Sequence, residues 1–295
     1  MRCAADLGGT NLRLQFYLDD VIISSTTLKT LNFSSFDEAL RSALPPDVSH
    51  FSCSVAGPVR NGSVRCGNLK WPEITEEGLK QNFKFKTVHL LNDLHAAALA
   101  LQSLPLSLRR LRGEPGNSTK LLVGVGTGIG VSLVCESVIP TECGWATFAP
   151  RTREDLEFAH FVKERKGLER VAVEHVTAGP SVSLWYEFFG GEKSTSPEDV
   201  YLRMDEFSIK AIDRQWKTLG RIIAEWCMMF NCTGGVYMTG GVVDKAATLI
   251  DTPLVEGFTE SLGEPASLDA IVNDCALSII LTSDLPLKGA KLILT

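Results

Sequence analysis

The chain has 295 residues, of which 44% are hydrophobic and 22% charged, and a formal net charge of −6. The length leads to an expectation of about two domains, and the composition excludes a disordered chain. The acidic excess argues against a general nucleic-acid or membrane partner.

The first clear pattern starts at Leu12. Leu12, Leu14, Phe16 and Leu18 point one way, and Arg13, Gln15, Tyr17 and Asp19 the other, which predicts a half-buried strand. Just before it, Asp6, Gly8 and Gly9 interrupt an apolar run. Glycine inside a strand pattern marks a place where a ligand or another backbone comes close. Asp19-Asp20 then turn the chain into "VIISSTTL", a hairpin partner. "SSFDEALRSAL", with serines as cap candidates and acids in its first turn, predicts a helix. "HFSCSVAGPV" predicts a strand ending in a Gly-Pro turn, and "RNGSVRCGNLKWPEI" a loop. "TVHLLND" predicts an apolar strand running into the helix "LHAAALALQSL". Strands alternating with helices signal an α/β domain.

The basic stretch "SLRRLRGEPGNSTK" is the candidate linker, with its arginines read as solvated surface. The second half then opens as the first did, with "TKLLVGVGTGIGVSLVCES" as strand, Gly-Thr turn and strand. Residues 208–230 place Ile209, Ile212, Trp216, Leu219, Ile223, Trp226 and Phe230 at alternating steps of three and four, which predicts a long helix with one buried stripe. "GGVYMTGGVV" predicts a strand ending in Gly240-Gly241. Two halves with the same opening suggest a duplicated fold.

The eight cysteines include no C-x-x-C pair, and no histidine stands at a metal-ligand spacing from them. Reduced, mostly buried thiols in the cytosol are expected. Asp6 comes too early for a secretory signal, and the uncharged run Leu121–Cys135 is short of a membrane span. A soluble, cytoplasmic protein is the expectation.

Glycine-rich turns beside hydroxyl residues can hold phosphate, because without Cβ atoms successive N–H groups converge on the anion and a threonine hydroxyl adds a donor. Three such places occur: Gly8-Gly9-Thr10, Gly126-Thr127-Gly128 and Gly240-Gly241. A P-loop run is missing, "GVGTGIG" leads into a strand and not a dinucleotide-binding helix, and the protein-kinase signatures are missing. What remains is phosphate held in hairpin turns, one per domain, closing on a nucleotide between them. Asp6 would repel polyphosphate unless Mg²⁺ stands between them, usually through water. Asn92-Asp93, at a strand-to-helix junction, reads either as a plain helix cap or as a catalytic acid.

"DLGGTNLRL", "AGPV" with "NLKW", "LLNDLHAAALAL", "GVGTGIGVSLV", "VEHVTAGPSVSLWY" and "GGVYMTGGVV" follow the order of the bacterial-type glucokinases, and from Asp6 to about Ala290 the chain resembles that family. The family belongs to the sugar kinase, actin and heat-shock-chaperone ATPase superfamily. The cysteine-rich zinc motif of its repressor and open-reading-frame relatives is missing here. The resemblance implies an α/β, two-domain actin-like (duplicated ribonuclease-H-like) ATPase fold with an interdomain cleft. The expected domains are 1–104 with about 280–295, and 105–279. It also implies ATP- and Mg²⁺-dependent phosphorylation of a hexose, glucose to glucose 6-phosphate, with closure over both substrates. Homodimers are usual in such families, although no dimer signal is visible in the residues.

By the same resemblance Asp93 is the base, and Asn68, Asn92, Asp93, Glu142 and Glu174 contact sugar. Asp6, Gly8, Gly9, Thr10, Gly126, Thr127, Gly128, Gly240 and Gly241 serve the nucleotide, and Asp6 the metal through water. His175 is expected to pack or to face solvent. One segment departs: where the family has E-G-G-H, this chain has Glu142, Cys143, Gly144 and Trp145. Trp145 is expected either to pack in the core or to stack on the sugar, which leaves a kinase for another hexose as an alternative. A non-catalytic sugar-binding regulator is a second alternative, and a filament or chaperone ATPase a third. "LPLKGAKLILT" keeps Leu287, Gly289 and Ala290 in what is expected to be a shortened closing helix, with a looser hinge.

Overall fold

A computed structural model describes residues 1–67, 69–260 and 266–294. The chain forms two compact units, Met1–Pro105 with Thr282–Thr295, and Leu106–Leu281.

Unit 1 is built on β1 (Arg2–Leu7), β2 (Asn11–Leu18) and β3 (Val21–Lys29), followed by α1 (Phe36–Ala43) and β4 (His50–Val55). A short pair, β5 (Ser63–Val64) and β6 (Ile74–Thr75), leads into α2 (Glu76–Phe83), β7 (Thr87–Asn92) and α3 (Asp93–Ser103). The sheet order is β3-β2-β1-β4-β7; the first three strands are antiparallel, and β1, β4 and β7 are parallel. β1 is central, so both of its faces are buried and its run of Cys3, Ala4, Ala5 and Leu7 shows no alternation. Alternation begins only in β2 and holds for Leu12, Leu14 and Phe16; past a register shift against β3 it reverses, with Tyr17 buried and Leu18 exposed, contrary to the expected pattern. Asp19 (φ 45°) and Asp20 (φ 69°) close the β2–β3 hairpin, the doubly left-handed turn that matches the twist of the strands. Ser35 caps α1 by accepting from the Glu38 N–H, and the helix buries Phe36, Ala39 and Leu40. α2 had no counterpart among the expected elements. It buries only Leu79, too little periodicity to stand out from a loop.

Unit 2 begins with β8 (Leu108–Arg112), β9 (Lys120–Val125), β10 (Ile129–Val134) and β11 (Val138–Thr141). A helical stretch follows: α4 (Arg153–Lys166), α5 (Val173–Thr177), α6 (Ser181–Phe188), α7 (Pro197–Arg203) and α8 (Glu206–Phe230). Then come β12 (Val236–Thr239), α9 (Gly241–Ala246), α10 (Asp251–Thr259), α11 (Ala266–Asn273) and β13 (Leu277–Ile280). The sheet order is β11-β10-β9-β12-β13-β8. Its first five strands repeat the order and the directions of unit 1, as a duplicated fold requires.

Three expectations need correction. The candidate linker contains β8, an edge strand antiparallel to β13. Its arginines are engaged: Arg109 pairs with Asp251 and Arg110 with Glu114, while Arg112 donates to the Val272 and Asn273 carbonyls. Charged residues suit a sheet edge, so composition resembled a linker. The strand around Val236 stops at Thr239, and Val242-Val243 lie in α9 after a bend at Gly240. α8 carries more than one buried stripe. Gln215, Thr218 and Arg221 are buried along with the apolar positions, whereas Ile209 is 51% exposed. A second helix accounts for this: α10 crosses so closely that a Cβ on Gly220 would lie 2.3 Å from the Leu254 carbonyl, and one on Gly257 2.0 Å from that of Lys217. Two of these buried polar groups have partners, while the Thr218 hydroxyl has none. Gln215 donates to the Thr177 and Ala178 carbonyls, and Arg221 pairs with Asp155 and Glu260.

After unit 2 the chain returns to unit 1 as α12 (Leu285–Leu292), which packs on α3, β1 and β4. Leu287, Ala290 and Leu294 cluster with Ala4 and Tyr17, and Ser52 Oγ donates to the Ala290 carbonyl at 2.7 Å. A Cβ on Gly289 would meet the Ala96 carbonyl oxygen at 1.7 Å, so the two helices cross where one lacks a side chain. All eight cysteines are free, and six are buried, with Cys135 exposed and Cys143 half-buried.

Candidate active site

Unit 1 contributes a turn and two acids. The Gly8 N–H donates to the Asn11 carbonyl at 2.9 Å, which closes the β1–β2 hairpin and leaves Gly9 and Thr10 at the surface. Thr30 holds the turn from behind: its Oγ1 donates to the Gly9 carbonyl at 2.8 Å and its N–H to that of Thr10 at 3.1 Å. Asp6, one residue before the end of β1, faces Arg13 across the β1–β2 ladder. Its carboxylate accepts from Arg13 at 3.3 Å and from Ser54 Oγ at 3.0 Å, and Arg13 also pairs with Asp284 at 3.2 Å. Burial raises the Asp6 carboxyl above the usual range, and the Ser54 and Arg13 bonds offset this only in part.

The structure assigns the capping of α3 to Asn92. Its side-chain oxygen accepts from the N–H groups of Leu94 (3.0 Å) and His95 (3.2 Å), and its amide donates to the Gly57 carbonyl at 3.1 Å. Asp93 is the first helical residue and accepts from the Leu94 N–H at 2.8 Å. Burial raises its carboxyl above the ordinary range; the Leu94 N–H lowers it, and the Asp6 charge raises it again. A cap already provided by Asn92 leaves Asp93 in excess of what the helix needs. A carboxylate with raised proton affinity suits general-base chemistry.

Unit 2 contributes the turn Gly126–Gly128, closed by the Gly126 N–H donating to the Gly128 carbonyl at 3.0 Å. Glu174, near the start of α5, lies over this turn and accepts from the Ile129 N–H at 3.4 Å. A Cβ on Gly128 would come within 2.9 Å of its carboxylate, so the missing side chain makes room for the acid. Burial raises the Glu174 carboxyl, and the charge of Glu142 acts in the same direction, which places these two acids within electrostatic reach of each other. Gly179 donates to the Gly126 carbonyl at 2.9 Å, tying the segment before α6 to the turn. Gly240, at φ 115°, passes so close that a Cβ would lie 2.4 Å from the Val125 carbonyl. Gly126, Thr127 and Gly241 therefore share one cavity of about 540 Å³, whose other walls are Gly179, Pro180, Pro197, Glu198, Tyr201, Leu202, Val242 and Lys245.

Glu142 begins a single 3₁₀ turn, Cys143–Trp145, held against β10 because a Cβ on Gly144 would lie 2.1 Å from the Ile129 carbonyl. Trp145 does not enter the core. It is 49% exposed, with its ring edge-on to His175 at 5.6 Å. His175 Nδ1 accepts from the Ala172 N–H at 3.1 Å, and the Trp145 carbonyl accepts from Arg170 at 2.6 Å. An indole is too large to fold back under a turn already pressed onto Ile129. Asn68 lies outside the described residues.

Unit 1 thus brings together Asp6, Gly8, Gly9, Thr10, Asn92 and Asp93, and unit 2 brings together the residues of its turn, Gly240, Gly241, Glu142, Trp145 and Glu174. Sequence reasoning missed Arg13, Ser54 and the apolar walls of the cavity. Ser54 carried a signal, a polar residue within an otherwise buried strand. Tyr201 and Val242 carried none.

A family model, Glucokinase, matches residues 3–295. A glucokinase of Caulobacter vibrioides is 28% identical over 314 aligned positions, covering 98% of this chain and 94% of that protein. The solved glucokinase of an Antarctic psychrotroph matches with a TM-score of 0.82 at 23% identity, over 99% of this chain and 98% of that one. A ROK family glucokinase from Streptomyces griseus, solved in complex with glucose and AMPPNP, matches with a TM-score of 0.66 at 16% identity, over 98% and 97%. These likenesses show the actin-like two-domain α/β fold, in keeping with the repeated sheet order.

Proposed function

The chain belongs to the glucokinase family, and we propose that it transfers the γ-phosphoryl group of ATP to the 6-hydroxyl of glucose, with Asp93 as the base. The observation that supports this reading is the environment of Asp93: a half-buried carboxylate of raised proton affinity, next to a helix cap that does not need it. Phosphoryl transfer requires alignment, charge neutralisation and an acceptor for the hydroxyl proton. The N–H groups and hydroxyl of the two turns supply alignment for the phosphates, and Asp93 takes up the proton. Half-buried Asn92 and Glu174 and exposed Glu142 are the groups that match sugar hydroxyls, their carboxylates accepting and the amide both donating and accepting.

Asp6 fits a magnesium ion held through water. Asp6 and Asp284 share one guanidinium, that of Arg13, and the Asp6 charge also acts on Asp93, so negative charge is in excess around Asp6 and a cation relieves it. When bound, the ion would neutralise charge on the phosphates. No helix among the described residues is long and apolar enough to cross a membrane.

Trp145 favours a second reading, a hexose other than glucose, because the half-exposed indole beside Glu142 and Glu174 offers a flat apolar face where a hydrogen-bonding histidine is usual. A coupled ADP-release assay over hexoses and amino sugars separates the two. Fastest turnover on glucose supports the first reading, and preference for another sugar the second. Sugar binding without turnover would refute both.

A further inference from the structure

The cavity of unit 2 has two chemically distinct parts. Thr127 and Gly241 present backbone N–H groups and a hydroxyl beside Gly126, while Pro180, Pro197, Tyr201, Leu202 and Val242 form apolar walls. Tyr201 is a fixed wall, because its hydroxyl accepts from the Trp216 indole N–H at 2.8 Å. Leu202 is 79% exposed at the rim, an apolar side chain with nothing over it in unit 2. Such a cavity matches a molecule with a phosphate chain at one end and a flat ring at the other.

Between two such ends a nucleotide carries a ribose, whose neighbouring 2′- and 3′-hydroxyls are two donors side by side. Glu198 and Lys245 are the charged residues lining the cavity. They stand on different elements, α7 and α9, and meet at 3.5 Å with both side chains well exposed (64% and 75%). Glu198 shares a face of α7 with Tyr201 and Leu202, at helical spacings of three and four, and Lys245 lies one turn beyond Gly241 on α9. The acid therefore borders the apolar walls, and the lysine the phosphate end. An ion pair this exposed is worth little, so a ligand can replace it at small cost. A carboxylate is purely an acceptor with two oxygens, which matches a pair of adjacent hydroxyls.

Resting on the kinase reading for the identity of the nucleotide, we infer that Glu198 is the specificity residue for ribose, its carboxylate accepting from the 2′- and 3′-hydroxyls in place of Lys245. A ribonucleotide then binds more tightly than its deoxy analogue through this one side chain.

The test is calorimetric titration of ADP and 2′-deoxy-ADP into the wild type and into Glu198→Ala, with sugar-dependent turnover of the wild type measured in parallel. The wild type is expected to prefer ADP by about tenfold, the discrimination given by one charge-assisted hydrogen bond, and Glu198→Ala to bind both nucleotides equally. If the preference survives the substitution, or the wild type shows none, the inference fails, whatever the turnover. If the preference collapses as expected but no sugar is phosphorylated, the kinase reading fails and the ribose assignment stands.

Discussion

In unit 1 the strand leading into the turn carries Asp6, paired across the ladder with Arg13; at the same place in unit 2, two residues before the first turn glycine, stands Gly124, paired with Gly130. The strand order is repeated and the turn is repeated, but an ion pair has become a pair of glycines. Unit 1 puts its charge within the sheet, which requires Ser54, Arg13 and Asp284 to be arranged around a buried acid. Unit 2 leaves its sheet neutral at that point and brings its acid from a helix, as Glu174 lying over Gly128. One scaffold thus carries the glycine turn twice while setting an acid within the sheet in one copy only. The copy with the acids is suited to deprotonating an alcohol, and the copy with the glycines and the apolar cavity to holding a nucleotide.

The sharpest way to break this contrast is Asp93→Asn. Loss of a positioned base is expected to lower kcat by about 10²–10⁴-fold, read in the coupled assay. Burial and the Asp6 charge raise the Asp93 pKa in the folded protein. The folded state therefore holds this proton more tightly than the unfolded chain, and stability falls as pH rises from the ordinary aspartate range through the raised value. At neutral pH the wild type has already lost that contribution. Asp93→Asn should then unfold at a higher temperature at pH 7, with the gain vanishing in acid. An equal or lower melting temperature at pH 7 would show that the site is not strained by its charge.

Asp6→Asn sharpens the same point through the neighbouring residue. It removes a buried negative charge that raises Asp93. The acid limb of the kcat/KM profile, which in the wild type should lie above the ordinary aspartate range, is expected to move to lower pH. The apparent KM for Mg-ATP should rise by about tenfold, the value of one charge-assisted contact. A limb that stays in place would uncouple the two acids.

A smaller effect is expected in unit 2 from Gly128→Ala. The new methyl group would press on the Glu174 carboxylate at 2.9 Å, the movable end of a flexible side chain. Melting temperature should hardly change, while the KM for sugar rises about threefold to tenfold, a cost of about 1 kcal/mol for a displaced hydrogen bond. Trp145→His should have the least effect on stability, because the indole is half exposed. What it should change is the ranking of hexoses in the panel assay. An unchanged ranking would remove Trp145 from the sugar site.

The turns and their acids were legible in the sequence because each is a local device: Gly8-Gly9-Thr10 and Gly126-Thr127-Gly128 interrupt strands that would otherwise run on. Asp93 was legible as a junction residue, though only the structure showed that Asn92 does the capping. What stayed hidden depends on distant partners. The arginines of β8 resembled a linker until Asp251 and the end of α11 met them. Gln215 and Arg221 resembled a solvent face of α8 until α5 and α10 covered them. The cavity wall at Tyr201 and Val242 joins helices far apart in the chain, and no periodicity records such a meeting.

The crossing of α12 on α3, at Gly289 over the Ala96 carbonyl, bears on how the molecule is made. Unit 1 is interrupted in the chain by the whole of unit 2, residues 106–281. On the ribosome the first hundred or so residues must wait with the Ala4–Tyr17 face of their sheet uncovered, while unit 2, which is continuous, can fold as soon as it has emerged. The half that carries the acids is begun first and completed last.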